Sequence, residues 1–584
     1  MRGSPKRSSP SGSLHGLVAA ALCALLPACI DDSPAPATEP EAFVREILLA
    51  DGVARHVGRE LHDKLLQSVA DKDLDLAKRS LHVDFRGRFP GPGDGKPVTN
   101  HGLELTTLSA ESLPVLDRDA FLAVLEEHLQ DSAALERGAF DTDRFYLGEA
   151  RDEARGRAEI RLAGSKTDGG RYDLRVECDI ELSLHADFGW QIRSLEAHGG
   201  TRILGAAPRF IESSGAMGFT INESPRNRGL LQDAIDSHRT LTLGGLTALD
   251  WNDDGHPDLI ATAERQYTQL FLNDGIGGFR RGELPVQQPS ESSNFYLWID
   301  LDADGREELV GSTPLRYSGG RAHLAVWTRD GEQWVRRDDV LSFPNPVGLR
   351  HVYVAALVPC DVNGDGAFDL FAGVYGDARS RGQRFNTVLA HDGADNHLFI
   401  NQGGLVFSEE SQARGIHGTQ YTYVAQPFDF DGDGDTDILE GNDFGPNVLW
   451  ENDGTGHFDS NAADILAGES AYTMGATLAD YDNSGNWSLY ISNMHSEAGN
   501  RIASIADDLT DEMREKILII ASGNMLYRQD AARDAWREAA HELHCNKGEW
   551  SWGSVFWDLD NDGDKELYVT NGFTSHSQEE LPDW

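Results

Sequence analysis

The residues that decide the fold are DFDGDGDTDILEG, at positions 429–441. Acidic side chains stand at positions 1, 3, 5 and 9 of this stretch, a glycine stands at position 6, and an apolar run follows. A chain that turns tightly around a hard cation presents every second side chain inward, offers the backbone carbonyl of position 7, and needs glycine at the sharp turn. The stretch therefore predicts a metal loop that leads into a β-strand.

The same pattern occurs six times, and its starts are separated by 50, 61, 68, 51 and 78 residues. Such recurrence predicts a repeat architecture. The predicted ligands, counting the position-7 residue that offers its carbonyl, are Asp250, Asn252, Asp254, His256 and Asp258; Asp300, Asp302, Asp304, Arg306 and Glu308; Asp361, Asn363, Asp365, Ala367 and Asp369; Asp429, Asp431, Asp433, Asp435 and Asp437; Asp480, Asp482, Ser484 and Asn486; and Asp558, Asp560, Asp562, Asp564 and Glu566. The fifth loop has only two carboxylates, so we expect it to bind weakly or not at all.

The donor types indicate the metal. Oxygen ligands in this number favour Ca²⁺ over Zn²⁺, which prefers His and Cys, and over Mg²⁺, which keeps its waters. An EF-hand would need Glu at position 12 and flanking helices, but only Glu440 meets the first condition and β-type runs flank every loop. The sequence therefore excludes EF-hands and predicts five to six structural calcium sites.

Hairpins of the form AsnxxGxxxF follow several of these strands, at residues 271–279, 398–407 and 449–458. With the motifs GlyAsnAspPheGlyProAsn, TrpSerTrpGly and ThrAsnGlyPhe, they resemble the FG-GAP/VCBS repeats of integrin-type β-propellers, and within them the bacterial relatives of cartilage acidic protein, the ASPIC/UnbV group. The resemblance implies a mainly β fold, a β-propeller over residues 201–584 with six blades, or with seven as the alternative. The sixth motif supplies two strands only, so we expect residues 201–213 to add outer strands and close the ring.

A separate α+β module is predicted for residues 42–198. Apolar residues have helical spacing in 42–71 and 118–131, whereas they alternate strictly with polar ones in 171–186, as in a half-buried antiparallel strand. This order of elements resembles the cone fold of nuclear transport factor 2. Tyr146 or Asp179 could lie inside such a cone, although an accessory packing domain is the favoured interpretation.

The N-terminus reads as an export signal. Arg2, Lys6 and Arg7 precede an apolar run of 13 residues, 16–28, which is too short to span a membrane and ends at Cys29 in LeuProAlaCys. We expect residues 1–28 to be a lipoprotein signal peptide, Cys29 to be lipidated, and 29–41 to be a tether; ordinary cleavage nearby is the alternative. The protein would then be exported and anchored to a bacterial membrane, facing the periplasm or the exterior.

Charge and missing motifs narrow the function. The 584 residues include 51 basic and 96 acidic ones, for a formal charge of −45, which repels nucleic acid. No GxSxG or HExxH motif is present. Some histidines could face a central funnel together with Asp443: His351, His397, His495 and His544. Some tryptophans could stack on sugars: Trp450, Trp487, Trp550, Trp552 and Trp557. A structural or solvated role is favoured for the histidines, and packing between blades is favoured for the tryptophans.

The sequence therefore predicts a monomeric surface protein that binds an unidentified protein or glycan. The alternative is an extracellular propeller enzyme that acts on polysaccharide or another polymer, and the sequence leans against it without deciding. Beyond Cys29 only Cys178, Cys360 and Cys545 remain in the exported chain. That odd number predicts at least one free thiol or a bond between chains.

Overall fold

A computed structural model describes residues 39–572, except 101, 111, 149, 207–211, 221–244, 263–267, 286–292, 332, 347–349, 378–392, 444, 461–471, 494, 496–521 and 531–534. Cys29, the signal and most of the tether lie outside these residues. The described chain is mainly β and divides into two compact units, 39–206 and the described part of 212–572. No helix among the described residues is long and apolar enough to cross a membrane.

The first unit combines helices with one antiparallel sheet. Its described helices are α1 (Glu39–Leu61), α2 (Ser68–Ala70), α3 (Leu74–Arg79) and α4 (Arg118–His128), with a π-helical turn at His62–Gln67. Its described strands are β1 (Leu81–Arg88), β2 (Gly95–Asn100), β3 (Leu103–Ser109), β4 (Ser132–Leu147), β5 (Glu153–Lys166), β6 (Arg171–His185) and β7 (Gly189–Gly205). The sheet order is β2-β3-β7-β6-β5-β4, and β1 pairs with β7 in parallel. Asp73 and Asp117 start α3 and α4, because each carboxylate accepts a backbone N–H three residues on.

Burial in this unit follows the predicted alternation. The even-numbered residues of β6, from Tyr172 to Leu182, face a core that the helices cover from the other side. Asp179 lies on the exposed face, where His198 Nε2 is 3.0 Å from its carboxylate, and Tyr146 is also exposed. The idea that either residue lines an interior cavity is therefore wrong.

The second unit is a series of six antiparallel sheets, numbered here in chain order. Sheet 1 contains β8 (Leu246–Leu249), β9 (Asp258–Ala261), β10 (Gln269–Asn273) and β11 (Phe279–Gly282); sheet 2 contains β12 (Tyr296–Ile299), β13 (Glu308–Ser318), β14 (Arg321–Asp330), β15 (Gln333–Arg337) and β16 (Ser342–Pro344); sheet 3 contains β17 (Arg350–Cys360), β18 (Asp369–Asp377), β19 (His397–Asn401) and β20 (Phe407–Glu409). Sheet 4 contains β21 (Tyr421–Phe428), β22 (Asp437–Asp443), β23 (Val448–Asn452) and β24 (Phe458–Ser460); sheet 5 contains β25 (Thr473–Ala479), β26 (Ser488–Asn493), β27 (Met525–Gln529) and β28 (Trp536–Glu538); sheet 6 contains β29 (Ser551–Trp557) and β30 (Glu566–Asn571).

The strands of each sheet pair in sequence, except that β16 of sheet 2 pairs with β14, and one acidic loop joins the first two strands of each sheet. Consecutive sheets contact one another in the pairs β8/β12, β13/β17, β17/β21, β21/β25 and β25/β29. In these pairs β13 is the second strand of its sheet, and every other strand is the first of its sheet. The central strands β19, β22 and β26 are buried along their whole length, because neighbouring sheets cover both of their faces.

The predicted role of residues 201–213 needs correction. Thr201–Gly205 is the end of β7 and pairs with β3 and β6 in the first unit, so it supplies no strand to sheet 6. Strand β7 runs on to Gly205, whereas the predicted first module ends at residue 198. Cys178, Cys360 and Cys545 form no disulfide bond among the described residues.

Candidate metal-binding loops

All six acidic loops, numbered with their sheets, share one backbone conformation. The carboxylate at position 1 accepts the N–H of the glycine at position 6, at 2.8 Å in loop 1 and 3.2 Å in loop 4. Positions 4 and 6 have positive φ in every loop, for example 57° at Asp253 and 81° at Gly255. Loop 5 has the same turn, with Gly485 N–H 2.9 Å from the Asp480 carboxylate. The turn is thus set by position 1 and the glycine, and it does not depend on the full set of acids.

The acid at position 9 ties loops 1, 3 and 4 to their own sheets. Asp437 is fully buried, and its two carboxylate oxygens accept the N–H of Phe430 at 2.8 Å and of Asn452 at 2.9 Å. Asp258 and Asp369 make the same pair of bonds in loops 1 and 3. This acid therefore joins position 2 of the loop to the end of the third strand.

Three loops bring acids close together. Carboxylate oxygens lie within 4.8 Å of one another in the groups Asp300, Asp302 and Asp304; Asp429, Asp431 and Asp437; Asp558, Asp560 and Asp562; and Asp562, Asp564 and Glu566. The side chain of Asp564 belongs to such a group, whereas the sequence assigned only its carbonyl to the metal. The acidic residue at position 7 of this loop could have indicated the extra carboxylate donor from the sequence.

Crowding and burial affect these carboxyls strongly. Burial, opposed by two backbone hydrogen bonds and reinforced by nearby acids, raises the pKa of Asp437 to about 7. Burial and nearby acids also raise the pKa of Glu308 to about 7, against one backbone hydrogen bond, and that of Asp369 to about 6, against two. Burial and three neighbouring acids also raise the pKa of Asp435 to about 6. A divalent cation is the charge that would stabilise these groups in the ionised form.

Loops 1 and 3 carry less charge, because asparagine stands at position 3. Asn252 Nδ2 donates to the Asp254 carboxylate at 2.8 Å, and Asn363 Nδ2 donates to Asp365 at 3.0 Å. Hydrogen bonds from the His256 N–H and from Asn252 hold the pKa of Asp254 below its usual value. These loops keep oxygen donors, but the structure does not gather three acids in either of them.

A cationic side chain from β27 of the same sheet lies beside loop 5. Arg528 Nη2 lies 2.6 Å from the carboxylate of Asp482, which occupies position 3. A guanidinium therefore neutralises one of the only two acids, and Ser488 replaces the acid at position 9. The sequence predicted weak binding from the serines alone, and it missed Arg528, which is 46 residues away from its partner.

The loops also join neighbouring sheets. In five loops the carbonyl at position 2 accepts a hydrogen bond from the following sheet or its loop: Trp251 from Arg329 Nη2 (3.1 Å), Leu301 from Asn401 Nδ2 (2.8 Å), Val362 from Asn452 Nδ2 (2.8 Å), Phe430 from Trp536 Nε1 (2.8 Å), and Tyr481 from the Lys565 N–H (3.0 Å). Ordering a loop therefore orders the contact between two sheets. This coupling makes the loops structural elements of the whole series.

The donor sets suit a hard cation. Carboxylate, amide and carbonyl oxygens surround each loop, and no Cys or His side chain joins the groups of clustered acids among the described residues. Such donors favour Ca²⁺ over softer metals.

Two segments of the chain match the FG-GAP-like repeat family, residues 250–311 and 429–491. The chain contains FG-GAP-like repeats. The first matched segment covers loops 1 and 2 and ends in β13, and the second covers loops 4 and 5 and ends in β26. Among curated proteins, none matches the chain significantly.

Several solved structures are similar to part of the chain. A protein from Xanthomonas campestris, described provisionally as a calcium/calmodulin-dependent protein kinase II association domain, is 12% identical, with 29% of this chain and 93% of that one covered and a TM-score of 0.16. A protein from Kribbella flavida is 16% identical, with 28% and 93% covered and a TM-score of 0.17. At these scores the likeness carries no argument about the chain.

Two of the other predicted candidates, Trp450 and Trp487, pack against neighbouring groups, whereas Trp557 and His544 are exposed. Trp450 is buried, and its Nε1 donates to Glu440 at 2.8 Å. Trp487 packs edge-on against Phe428 of the preceding sheet, with ring centroids 5.0 Å apart. His397 is different, because it borders a cavity that is described below.

Proposed function

We propose that the second unit is a calcium-stabilised β-propeller that binds a protein or a glycan at the bacterial cell surface. The observation that carries the calcium assignment is the grouping of acids in loops 2, 4 and 6, where oxygens of three carboxyls approach within 4.8 Å. Such a group favours a bound divalent cation over three free negative charges. Loops 1 and 3 complete the proposed set with amide oxygens, and the whole set is five sites, since Arg528 opposes binding in loop 5.

Closure of the sheets into a ring is part of this proposal. A turn before sheet 1 repeats the turn that follows the outer strand of sheet 3, with a constant offset of 197 residues. Met217 N–H donates to Ser213 O at 2.9 Å, as Arg414 N–H donates to Glu410 O at 3.0 Å. Phe219 N–H donates to Ser214 O at 2.8 Å, as Ile416 N–H does to Ser411 O at 2.9 Å.

The two turns also contact the same part of a sheet. Gly415 has φ of 89°, and a Cβ added to it would lie 2.1 Å from the carbonyl oxygen of Phe458, which begins the outer strand of the next sheet. Gly218 has φ of 78°, and its added Cβ would lie 2.4 Å from the carbonyl oxygen of Phe279, which begins the outer strand of sheet 1. Residues 212–219 therefore stand where the sheet preceding sheet 1 would end. In a ring, that sheet is the last one, which supports closure by this segment.

A binding role fits the way the loops are used. Their position-2 carbonyls hold neighbouring sheets together, so the proposed metals act on the rigidity of the scaffold. A rigid ring with calcium in its loops can present a fixed surface to a large partner at low entropic cost. The acidic charge of −45 argues for a partner other than nucleic acid.

A capture experiment tests the binding proposal. The purified chain without residues 1–28 is applied to a glycan array and to an extract of surface proteins, in calcium and in chelator. We expect one partner to be retained in calcium and released by chelator. Degradation of a polymer on the array, without retention, would contradict the binding role and favour the polymer-degrading alternative.

Attachment to the membrane is a separate proposal that rests on Cys29 and the apolar run before it. Cys29→Ala should move the protein from the membrane fraction to the soluble fraction, because a lipidated cysteine provides the anchor. Cell fractionation followed by immunoblotting measures the distribution. If wild type and variant fractionate alike, lipidation is contradicted.

The finer family likenesses are also proposals. The Asn-Gly hairpins after several loops favour the ASPIC/UnbV group within the FG-GAP-like proteins. Helices followed by a long antiparallel sheet favour the nuclear transport factor 2-like cone for the first unit.

A further inference from the structure

A cavity of about 560 Å³ opens beside sheets 2 and 3. Phe343 from β16, Val374 from β18 and Ile416 provide apolar walls, and His397 from β19 and Glu409 from β20 provide polar ones. This volume lies in the range of about 300 to 1,000 Å³ that small-molecule sites occupy in proteins.

His397 is held in one orientation. Its ring stacks on Phe343, with centroids 4.2 Å apart, and its Nδ1 lies 3.2 Å from Glu409 Oε1. Glu409 also accepts hydrogen bonds from the backbone N–H and the hydroxyl of Ser411. Burial acts to raise the pKa of Glu409, but the hydrogen bonds from His397 and Ser411 hold it below the usual value, so the carboxylate is ionised.

An ionised Glu409 fixes the tautomer of the neutral ring. Nδ1 carries the proton that Glu409 accepts, so Nε2 presents a lone pair. Nε2 has no hydrogen-bond partner among the described residues, and it keeps solvent access although His397 as a whole is 7% exposed. A buried ring with one accessible acceptor on a cavity wall is suited to receive a donor from a ligand.

The other sheets provide an internal comparison. His397 pairs with Ala372, and the residues in the same register of sheets 1, 4 and 5 are Gln269, Val448 and Met525. The acid on the outer strand is shared, since Glu538 of sheet 5 accepts the Ala540 N–H as Glu409 accepts the Ser411 N–H. The acid therefore serves the turn in both sheets, whereas the histidine is particular to the cavity.

The acidic residues that line the cavity favour a positively charged ligand. Asp395, Glu409 and Glu410 line it, and no Lys or Arg does so among the described residues. Glu409 is bonded to His397 and Ser411, and Arg414 Nε lies 2.8 Å from Glu410. Asp395 is exposed at the rim, and no Lys or Arg is paired with it among the described residues.

We propose that this cavity binds a small primary amine, whose donors reach His397 Nε2 and whose positive charge is held by Asp395. The apolar walls would cover the carbon frame of the ligand, and the carboxylates would repel anions.

Calorimetric titration of the calcium-loaded full chain tests this proposal, with glucosamine and putrescine as probes. We expect at least one of them to bind. If glucosamine is the probe that binds, two related sugars serve as controls. N-acetylglucosamine lacks the positive charge, and glucuronate carries a negative one. Each should bind at least about tenfold more weakly than glucosamine. No binding of either amine at about 10 mM, or equal binding of glucuronate, would overturn the proposal.

Two variants locate the site. His397→Phe keeps the ring stack on Phe343 and removes the acceptor, and Asp395→Asn removes an exposed charge without disturbing the core. Each should weaken binding of the amine about tenfold. Gln269→Phe, at the same register of sheet 1, should leave it unchanged. Wild-type affinity in Asp395→Asn and in folded His397→Phe would place the amine elsewhere and overturn the assignment.

Discussion

Asp431 and Ser484 hold ligand positions in two loops of the same conformation, but only Asp431 brings a charge. Asp431 Oδ1 accepts the Asp433 N–H at 3.1 Å, and Ser484 Oγ accepts the Asn486 N–H at 3.3 Å. Either side chain therefore supports one backbone N–H. Burial, together with Asp433 and Asp429, raises the pKa of Asp431 above its usual value, which reflects its place in the acidic group.

Asp431→Ala should abolish the calcium-dependent part of the stability that loop 4 contributes. At a calcium concentration ten times the dissociation constant, that part is about 1.4 kcal/mol. Thermal melting in calcium and in chelator measures it. Ser484→Ala is the matched control, since it removes one similar hydrogen bond and no charge. Equal calcium dependence in both variants would contradict a metal in loop 4.

Glu440 is a different kind of acid, because it stands outside the ligand positions and is fully buried. Its carboxylate accepts hydrogen bonds from Trp450 Nε1 at 2.8 Å and from the Thr422 hydroxyl at 3.1 Å. Burial raises the pKa of Glu440 above its usual value of 4.5, against these hydrogen bonds. The folded state therefore holds a proton on Glu440 more tightly than the unfolded state does.

This raised pKa predicts a pH dependence. Its stabilising effect is complete below the unfolded pKa and is lost as the pH rises through the folded pKa. The free energy of unfolding of wild type, relative to Glu440→Gln, should therefore fall as the pH rises above the usual pKa of 4.5. Chemical denaturation of both proteins at saturating calcium measures the difference, and the metal loops cancel in it. A difference that does not change with pH would show that Glu440 is ionised throughout.

At the scale of elements, the sheets are joined at both ends of their strands. The acidic loops bond to the next sheet at one end. At the other end, an asparagine stands at or just before the start of the third strand in sheets 3, 4 and 5. Its side chain accepts a backbone N–H from the second strand of its own sheet and bonds to a hydroxyl on the first strand of the next sheet. The bonds join Asn396 to Val374 and Thr422, Asn447 to Asn442 and Thr473, and Asn524 to Asn493 and Ser551. Unbonded amides at these buried positions would cost stability, so the series is specified by polar contacts as well as by packing.

The turn before sheet 1 offers a test of ring closure. Gly218→Ala should destabilise the second unit by more than about 1 kcal/mol, because Ala is strained at this positive φ and its Cβ would meet the Phe279 carbonyl. Gly215→Ala is the control in the same turn, since nothing lies within 4 Å of its added Cβ. Denaturant unfolding measures both. Equal stabilities would mean that residues 212–219 do not hold the ring.

At the scale of the whole molecule, the two units should respond differently to calcium. The first unit has its own apolar core, formed by α1, α4 and the seven-stranded sheet. The second unit carries every group of clustered acids found among the described residues. Its stability should therefore depend on the cation that they hold.

Chelation should lower the melting temperature of the second unit and leave that of the first nearly unchanged. The sites of loops 2, 4 and 6, where acids cluster, would alone contribute about 4 kcal/mol at ten times their dissociation constant, a large share of the stability of an ordinary domain. Calorimetry of the full chain, with and without chelator, resolves the two transitions. Magnesium at equal concentration is the control. A second transition that ignores chelator in a metal-free sample would contradict structural calcium.

The sequence by itself determined the loops and the strands that follow them. Position 1 and the glycine fix the turn through bonds between near neighbours, and strict alternation fixes β6, because both depend on residues close together in the chain. The same local rules predicted α4. Local patterns suffice wherever an element is stabilised by its own residues.

Only the tertiary structure decided which loops gather acids, where the first unit ends, and which histidine meets a cavity. Arg528 reaches Asp482 from a distant strand, Thr201–Gly205 continues β7 because β3 and β6 lie beside it, and His397 differs from Gln269 through the acid and the cavity next to it. These outcomes depend on pairs of residues that are far apart in the chain. Periodicity in one segment carries no information about such partners, because they meet only when the sheets pack.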